Sequence, residues 1–388
     1  MKKFITLIAL MSAMGVTETF LGESLYLTIF YFVLLLCIAC AMRMFLFRFN
    51  EVNALTLSLV AYSVIFPIYA SIKSNMIFGQ PFFVGLASLR YMCFVFFGLF
   101  LYQVQYDYMT LLKQVNILNV LVALVSIVAY FIFGYYSSTD LRIRGSRLTL
   151  CSGLMMISYV YYLINFIKTP AKRSILIPFV ILVIYLVFVN KGRQPLAVMA
   201  VVYCIYYIRS EKKSVKSIMM AVLPAVVVIL LCIYESSFIE RFTTVLDVDK
   251  SKDFSTLARI KSMEAVWSYI KDNYMLGIGN LSARFGDEGF HQIFGAQFYI
   301  SDIGVVGTLA RGGVVLLLIY FLIYTNIYKR IKYVYDKEIR TYMYYMLLTF
   351  IVMLIVLSND ILFSDGSMLL AVMYYPLFAS KRKKSITV

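Results

Sequence analysis

Arginine is the residue type that this sequence concentrates where chemistry can occur. Arg142, Arg144 and Arg147 lie within one short polar segment, and Lys191 and Arg193 form a second basic group. A guanidinium binds phosphate oxygens through planar, bidentate hydrogen bonds, so both groups are suited to a diphosphate. Attachment to the phosphates of ordinary membrane lipids is the alternative for both.

Two further arginines, Arg90 and Arg311, stand inside apolar runs. If each run is a continuous helix, each arginine lies about eight residues from the outer end, roughly 12 Å deep at the helical rise. A charged side chain at that depth is expected to face a watery cavity or a partner. If the first turns lie along the membrane surface instead, both residues are superficial.

Arg259 belongs to a predicted amphipathic helix that ends before Gly277 and Gly279, which permit a sharp turn. At the helical period Arg259 shares a face with apolar residues, among them Met263 and Val266. A guanidinium on that face needs an anionic partner, either from the protein or from a ligand. Extension of the side chain to lipid headgroups is the other interpretation.

Candidates for a catalytic acid or base are fewer, and all lie near the C-terminal end of the longest polar segment of the chain. They are Asp302, Glu288 and His291, the single histidine. Any of them could accept a proton, and His291 could equally be a bystander. The six cysteines occur in or beside apolar runs without zinc spacing. No disulfide framework and no zinc site follow from these cysteines.

Composition limits the class of protein. Of 388 residues 62% are hydrophobic and 14% are charged, which is typical of an all-α polytopic membrane protein. The net charge of +16 does not indicate nucleic acid binding, because most Lys and Arg fall in short clusters between apolar runs. This distribution predicts cytoplasmic N and C termini and a periplasmic large loop.

The apolar runs predict about twelve membrane helices within a single integral membrane domain. Nine are expected within residues 1–236 and three within 303–388, which also holds a cytoplasmic tail, and residues 237–302 form the large loop. The predicted spans are 4–20, 25–42, 52–71, 82–104, 114–135, 148–167, 174–190, 195–208, 217–236, 303–328, 341–358 and 367–380.

This layout of many helices with one large late loop resembles the bacterial O-antigen polymerases, which are related to the O-antigen ligases. Three stretches carry the resemblance: Gly192-Arg193-Gln194-Pro195; Arg259 with Trp267 and then Gly277-Ile278-Gly279; and Ser301-Asp302-Ile303-Gly304 with Gly312-Gly313.

The resemblance implies a C-type glycosyltransferase-like membrane fold in the bacterial inner membrane, with no metal and no cofactor. The growing glycan on undecaprenyl diphosphate would be the donor, and a lipid-linked repeat unit would be the acceptor. Arg193 and Arg259 would bind the diphosphate, supported by Arg90, Arg142, Arg144 and Arg311, with Arg147, Lys191 and Glu288 as further substrate contacts. A chain-length regulator and a flippase are partners expected from the resemblance alone.

Two other functions remain open. O-antigen ligases carry a histidine shortly before the glycine at which the loop re-enters the membrane, followed by an asparagine that is missing after His291. A lipid-linked oligosaccharide flippase would share the composition. Ion-coupled transporters usually carry carboxylates deep in the membrane and repeated halves, whereas here Glu18 alone is a plausible intramembrane carboxylate.

Overall fold

The computed structural model describes residues 2–13, 23–133, 143–144, 147–148, 152–169, 172–190, 193–209, 254–282, 285, 300, 303–356 and 366–378. These residues are almost entirely helical. Their one sheet is a hairpin of two short antiparallel strands, β1 (Ile143–Arg144) and β2 (Arg147–Leu148). The all-α class predicted from composition is thus confirmed for this part of the chain.

The helices of the first half follow the predicted apolar runs. They are α1 (Lys2–Ala13), α2 (Glu23–Phe47), α3 (Ala54–Val60), α4 (Phe66–Phe78), α5 (Phe82–Ser88), α6 (Phe97–Gln103) and α7 (Tyr108–Phe133). A π-helical turn, Ala61–Ile65, joins α3 to α4, and 3-10 segments occupy Phe49–Glu51 and Arg90–Phe96.

The second half continues in the same way. Its helices are α8 (Ser152–Lys168), α9 (Arg173–Ile184), α10 (Arg193–Arg209), α11 (Phe254–Asp272), α12 (Gly304–Ile331), α13 (Lys337–Val356) and α14 (Gly366–Tyr374). A π-helical segment, Tyr185–Asn190, extends α9, and a 3-10 turn, Tyr375–Leu377, follows α14.

Within the described residues, five helical stretches are long and apolar enough to cross a membrane, or six if a bent pair counts as one span. The five are Leu27–Phe47, Ala54–Phe78, Tyr108–Ile132, Arg173–Asn190 and Gly304–Ile331. Three shorter apolar helices accompany them, and the predicted span 217–236 lies outside the described residues. The protein is therefore a multi-pass membrane protein, while the count of twelve spans stays a prediction.

Two of the predicted spans are not the continuous helices that the sequence analysis assumed. The run 82–104 bends by 47° between α5 and the segment beginning at Arg90. Within α12, Gly313 adopts φ 59° and ψ −155°, which interrupts the helix. The depth expected for Arg90 and Arg311 stays a prediction, because the helical residues 82–88 and 304–311 precede the bend and the break.

The core is centred on α14, whose nine residues are all buried. Around it lie the segment Arg90–Phe96, α6 and α8. A second apolar cluster forms where α11 packs on α12, and Val266, Ile270 and Ala310 are each 0% exposed there. The buried face of α11 confirms the amphipathic helix predicted from the spacing of its apolar residues.

Candidate functional site

The interruption in α12 is the feature around which the candidate site is built. Beyond a helix break, backbone groups lose their partners in the same helix and need others, since an unpaired buried peptide group is costly. Here the segment that follows α11 supplies them. Ile278 N donates to Ala310 O at 2.7 Å, Gly279 N donates to Arg311 O at 3.1 Å, and Val314 N donates to Met275 O at 3.0 Å.

Glycines make this backbone crossing sterically feasible. A Cβ on Gly277 would lie 2.5 Å from Gly313 N, and a Cβ on Gly313 would lie 2.2 Å from Met275 O. A Cβ on Gly279 would lie 2.3 Å from Ala70 O of α4. Gly277, Gly313 and Gly279 have positive φ angles of 80°, 59° and 83°, respectively, which L side chains rarely adopt. The predicted turn at Gly277 and Gly279 is confirmed.

Gln80 ties the same segment to α4 and was not singled out from the sequence. It is 0% exposed, and its Nε2 donates to Ser74 Oγ and Asn280 O, each at 3.0 Å. Its Oε1 accepts from Ser282 N at 2.8 Å. The Gln80 amide therefore fixes residues 280–282 from both sides, a role that only the three-dimensional neighbours reveal.

The segment also reaches α5, close to Arg90. Asn280 Nδ2 donates to Ser88 Oγ at 2.9 Å, two residues before Arg90. Residues 274–282 thus link the helix that carries Arg311 to the bend that carries Arg90. We call residues 274–282 the crossing segment.

Arg311 lies two residues before the break and is 6% exposed. Its Nε and Nη1 atoms are enclosed by protein. A buried guanidinium cannot be solvated by bulk water, so its charge acts on its surroundings at short range and in a low dielectric. This placement keeps Arg311 as a candidate for stabilising negative charge.

Arg90 is the first residue of the 3-10 segment after the bend. Its guanidinium carbon lies 5.2 Å from the ring centroids of Phe30 and Tyr91, and Nη1 donates to Ala87 O at 3.1 Å. Nε is buried and makes no hydrogen bond within the described residues. The two aromatic rings stabilise the cation, and the remaining N–H groups of the guanidinium can donate hydrogen bonds to an anion.

Four other candidates are placed by their backbone. Arg259 falls within α11, and Arg193 is the first residue of α10. Arg144 and Arg147 are directly paired across the β hairpin. The remaining candidates, Arg142, Lys191, Glu288, His291 and Asp302, lie outside the described residues. Among the residues that are described, no group of three His, Cys, Asp or Glu side chains could hold a metal ion.

Comparison with known families identifies one segment of the chain. Residues 177–302 match the family model described as O-antigen ligase. We call residues 177–302, which are similar to that family, the O-antigen ligase family segment. The resemblance predicted from the glycine and arginine motifs is confirmed over this range. The family covers both O-antigen ligases and O-antigen polymerases and acts on lipid-linked O-antigen substrates in the membrane. No curated protein matches the chain significantly.

The O-antigen ligase family segment contains part of the candidate site and excludes another part. Lys191, Arg193, Arg259, Glu288, His291 and Asp302 fall inside it. It also contains the crossing segment, whose partners on α12 lie beyond residue 302. The hydrogen bonds of the crossing segment therefore join the family segment to the C-terminal helices.

Proposed function

We propose that this protein polymerises a surface polysaccharide of the O-antigen type at the bacterial inner membrane. It transfers the growing glycan from undecaprenyl diphosphate to a sugar hydroxyl of a new lipid-linked repeat unit. The observation that carries the proposal is the match of residues 177–302 to the O-antigen ligase family, which includes Arg193 and Arg259.

The reaction breaks the bond between the anomeric carbon of the donor glycan and its diphosphate oxygen. A new bond forms from that carbon to the acceptor hydroxyl oxygen, the hydroxyl proton passes to a base, and undecaprenyl diphosphate leaves. Diphosphate is already a good leaving group, so the protein mainly has to stabilise the charge that develops on it. Cations placed outside bulk water do this most effectively.

The arginines divide into two groups in this mechanism. Arg193 and Arg259 bind the diphosphate directly. Supporting positive charge comes from Arg90, Arg142, Arg144, Arg147, Lys191 and Arg311. Glu288 contacts substrate, and the base is one of Asp302, Glu288 and His291. The burial of Arg311 and the half-buried position of Arg90 support this arrangement, because both keep positive charge out of bulk water.

Chain extension by purified protein in liposomes tests the proposal, with lipid-linked repeat units as the substrate and glycan length as the readout. Loss of a transition-state charge contact lowers turnover by about 10²- to 10³-fold, which is expected for Arg193→Ala and Arg259→Ala. Lys261→Ala is the matched control, since Lys261 is an exposed cation on the same helix as Arg259. Full activity of both arginine variants would remove the assignment.

A ligase of the same family is the second candidate, favoured by the match of residues 177–302 to a family described as O-antigen ligase. The two functions differ in the acceptor rather than in the bond that breaks. A cell lacking the polymerase retains single repeat units on its surface lipid, whereas a cell lacking the ligase displays none. A flippase would bind the lipid-linked unit and leave glycan length unchanged.

A further inference from the structure

The tip of the crossing segment, Tyr274 to Leu276, is apolar and outward-facing. Tyr274 is 87% exposed, Met275 36% and Leu276 40%. Tyr274 and Met275 also hold φ angles of 54° and 60°, a conformation that glycine adopts with less strain. Large apolar side chains at strained, exposed positions indicate that the side chains themselves have a use.

Hydrogen bonds fix the height of this tip against two candidate membrane spans. Met275 O accepts from Val314 N of α12, and Leu276 O accepts from the Tyr69 hydroxyl of α4 at 2.5 Å. Both helices belong to stretches that are long and apolar enough to cross a membrane. The tip therefore lies alongside two candidate membrane spans and not beyond their ends.

The two spans give independent measures of that height. Their far ends lie together, because Asn326 of α12, three residues before Lys329, donates to Ser58 near the start of α3 at 3.2 Å. Val314 and Lys329 are fifteen positions apart along α12, which is about 22 Å at the helical rise. Ala54 and Tyr69 are also fifteen positions apart, with a π-helical turn between them, so both paths are shorter than the hydrocarbon thickness of about 30 Å.

Polar residues mark the other boundary of the membrane, one helical turn beyond Tyr69. Lys73 follows Tyr69 by four residues on α4, and the exposed Lys271 and Asp272 precede Tyr274 by three and two residues. The surfaces beside the tip are those of lipid-facing helices: Ile68 and Ile72 of α4 are 42% and 47% exposed, and Val314 of α12 is 44% exposed. The exposed tip continues this apolar surface.

We infer that Tyr274, Met275 and Leu276 form a wedge that enters the outer leaflet and contacts the acyl chains of bilayer lipids. The large polar loop is then not wholly outside the membrane, because its chain dips below the headgroups before α12 begins. The wedge anchors α11, and with it Arg259, at the membrane surface. This inference concerns location and does not depend on glycan transfer.

Tryptophan quenching in liposomes tests the location directly, because the chain contains a single tryptophan, Trp267. With Trp267→Phe as the background, Tyr274→Trp introduces one probe at the tip, and Lys261→Trp introduces the control on the exposed side of α11. Brominated phosphatidylcholine, with bromines on the upper acyl carbons, quenches from the lipid phase, and iodide quenches from water.

We expect the Tyr274→Trp probe to lose about half of its emission to brominated lipid and to be nearly insensitive to iodide, with the reverse for the control. A second probe, Leu276→Trp, covers the case in which the first variant misfolds. Quenching of both tip probes by iodide as strongly as the control overturns the inference. Protection of both tip probes from both quenchers also overturns it, since a protein partner then covers the tip.

Discussion

At the scale of single residues, the candidate site depends on glycines, which have no side chain. Gly277 and Gly313 let two backbones approach until their peptide groups bond, with Val314 N to Met275 O at 3.0 Å. A hydrogen bond between peptide groups needs close approach, and at Gly277 and Gly313 an added Cβ would meet the opposite backbone. Arg311 takes part in this contact, because its own carbonyl is one of the acceptors.

Gly313→Ala is expected to lower the free energy of unfolding by about 3 kcal/mol or more, because its Cβ meets rigid backbone at 2.2 Å in addition to the strain of φ 59°. Gly79→Ala is the matched control. Gly79 has φ 71°, and a Cβ added there would meet nothing within 4 Å, so only the backbone strain of about 1 kcal/mol applies. Thermal unfolding in detergent measures both, and equal losses would show that the close approach is unimportant.

At the scale of the elements, helix ends carry stabilising contacts that can be tested by pH. Asp107 precedes α7, and its Oδ2 accepts from Thr110 N at 2.7 Å, the geometry of an N-cap. Hydrogen bonds from the Thr110 side chain and backbone lower the pKa of the Asp107 carboxyl. The ionised form is therefore the one that the folded protein favours.

A lowered pKa means that this stabilisation is present above the usual carboxyl range, near pH 4, and is lost as pH falls through the folded pKa. At neutral pH, Asp107→Ala should reduce the free energy of unfolding by about 1 kcal/mol, the usual loss for a removed cap. The gap between wild type and variant should narrow from about pH 5 to about pH 3, measured as unfolding midpoints. A gap that is constant with pH would contradict the role of the charge.

The sequence predicted the elements well where periodicity decides them and poorly where tertiary contacts do. The apolar spacing of α11 was enough to predict a helix that buries Val266 and Ile270. The break at Gly313 was not predicted, because the pair Gly312-Gly313 is compatible with a straight helix until another segment supplies hydrogen bonds. Gln80 was not singled out from the sequence, because its hydrogen-bond partners near residue 280 are distant in sequence.

At the scale of the whole molecule, Asn53 joins the start of α3 to the last described residues of the chain. Its Nδ2 donates to Phe378 O at 2.9 Å and to Leu377 O at 3.3 Å, while its Oδ1 caps α3 by accepting from Thr56 N at 2.9 Å. Gly98 leaves room for the Phe378 ring beside this contact. The buried helix α14 is thereby held against the N-terminal helices.

Asn53→Ala should lower the free energy of unfolding by about 2 kcal/mol, because the cap is lost and Leu377 O loses its donor, while Phe378 O keeps the Thr56 hydroxyl as a donor. Asn273→Ala serves for comparison, since its amide donates at 2.9 Å to Tyr269 within the same turn. Unfolding midpoints in the same detergent should fall more for the first variant. A smaller loss at position 53 than at 273 would mean that the long-range contact contributes little.

The crossing segment also bears on how relatives of this protein can be recognised. Peptide groups make the bonds between it and α12, and peptide groups are the same whatever the side chains. Most substitutions in the crossing segment or in α12 leave these hydrogen bonds available. The sequence identity between relatives can therefore fall while the architecture is kept. In a saturation mutagenesis library scored by growth, intolerance should thus be strongest at Gly277, Gly279, Gly312 and Gly313, and Tyr274, Met275 and Leu276 should accept other apolar residues.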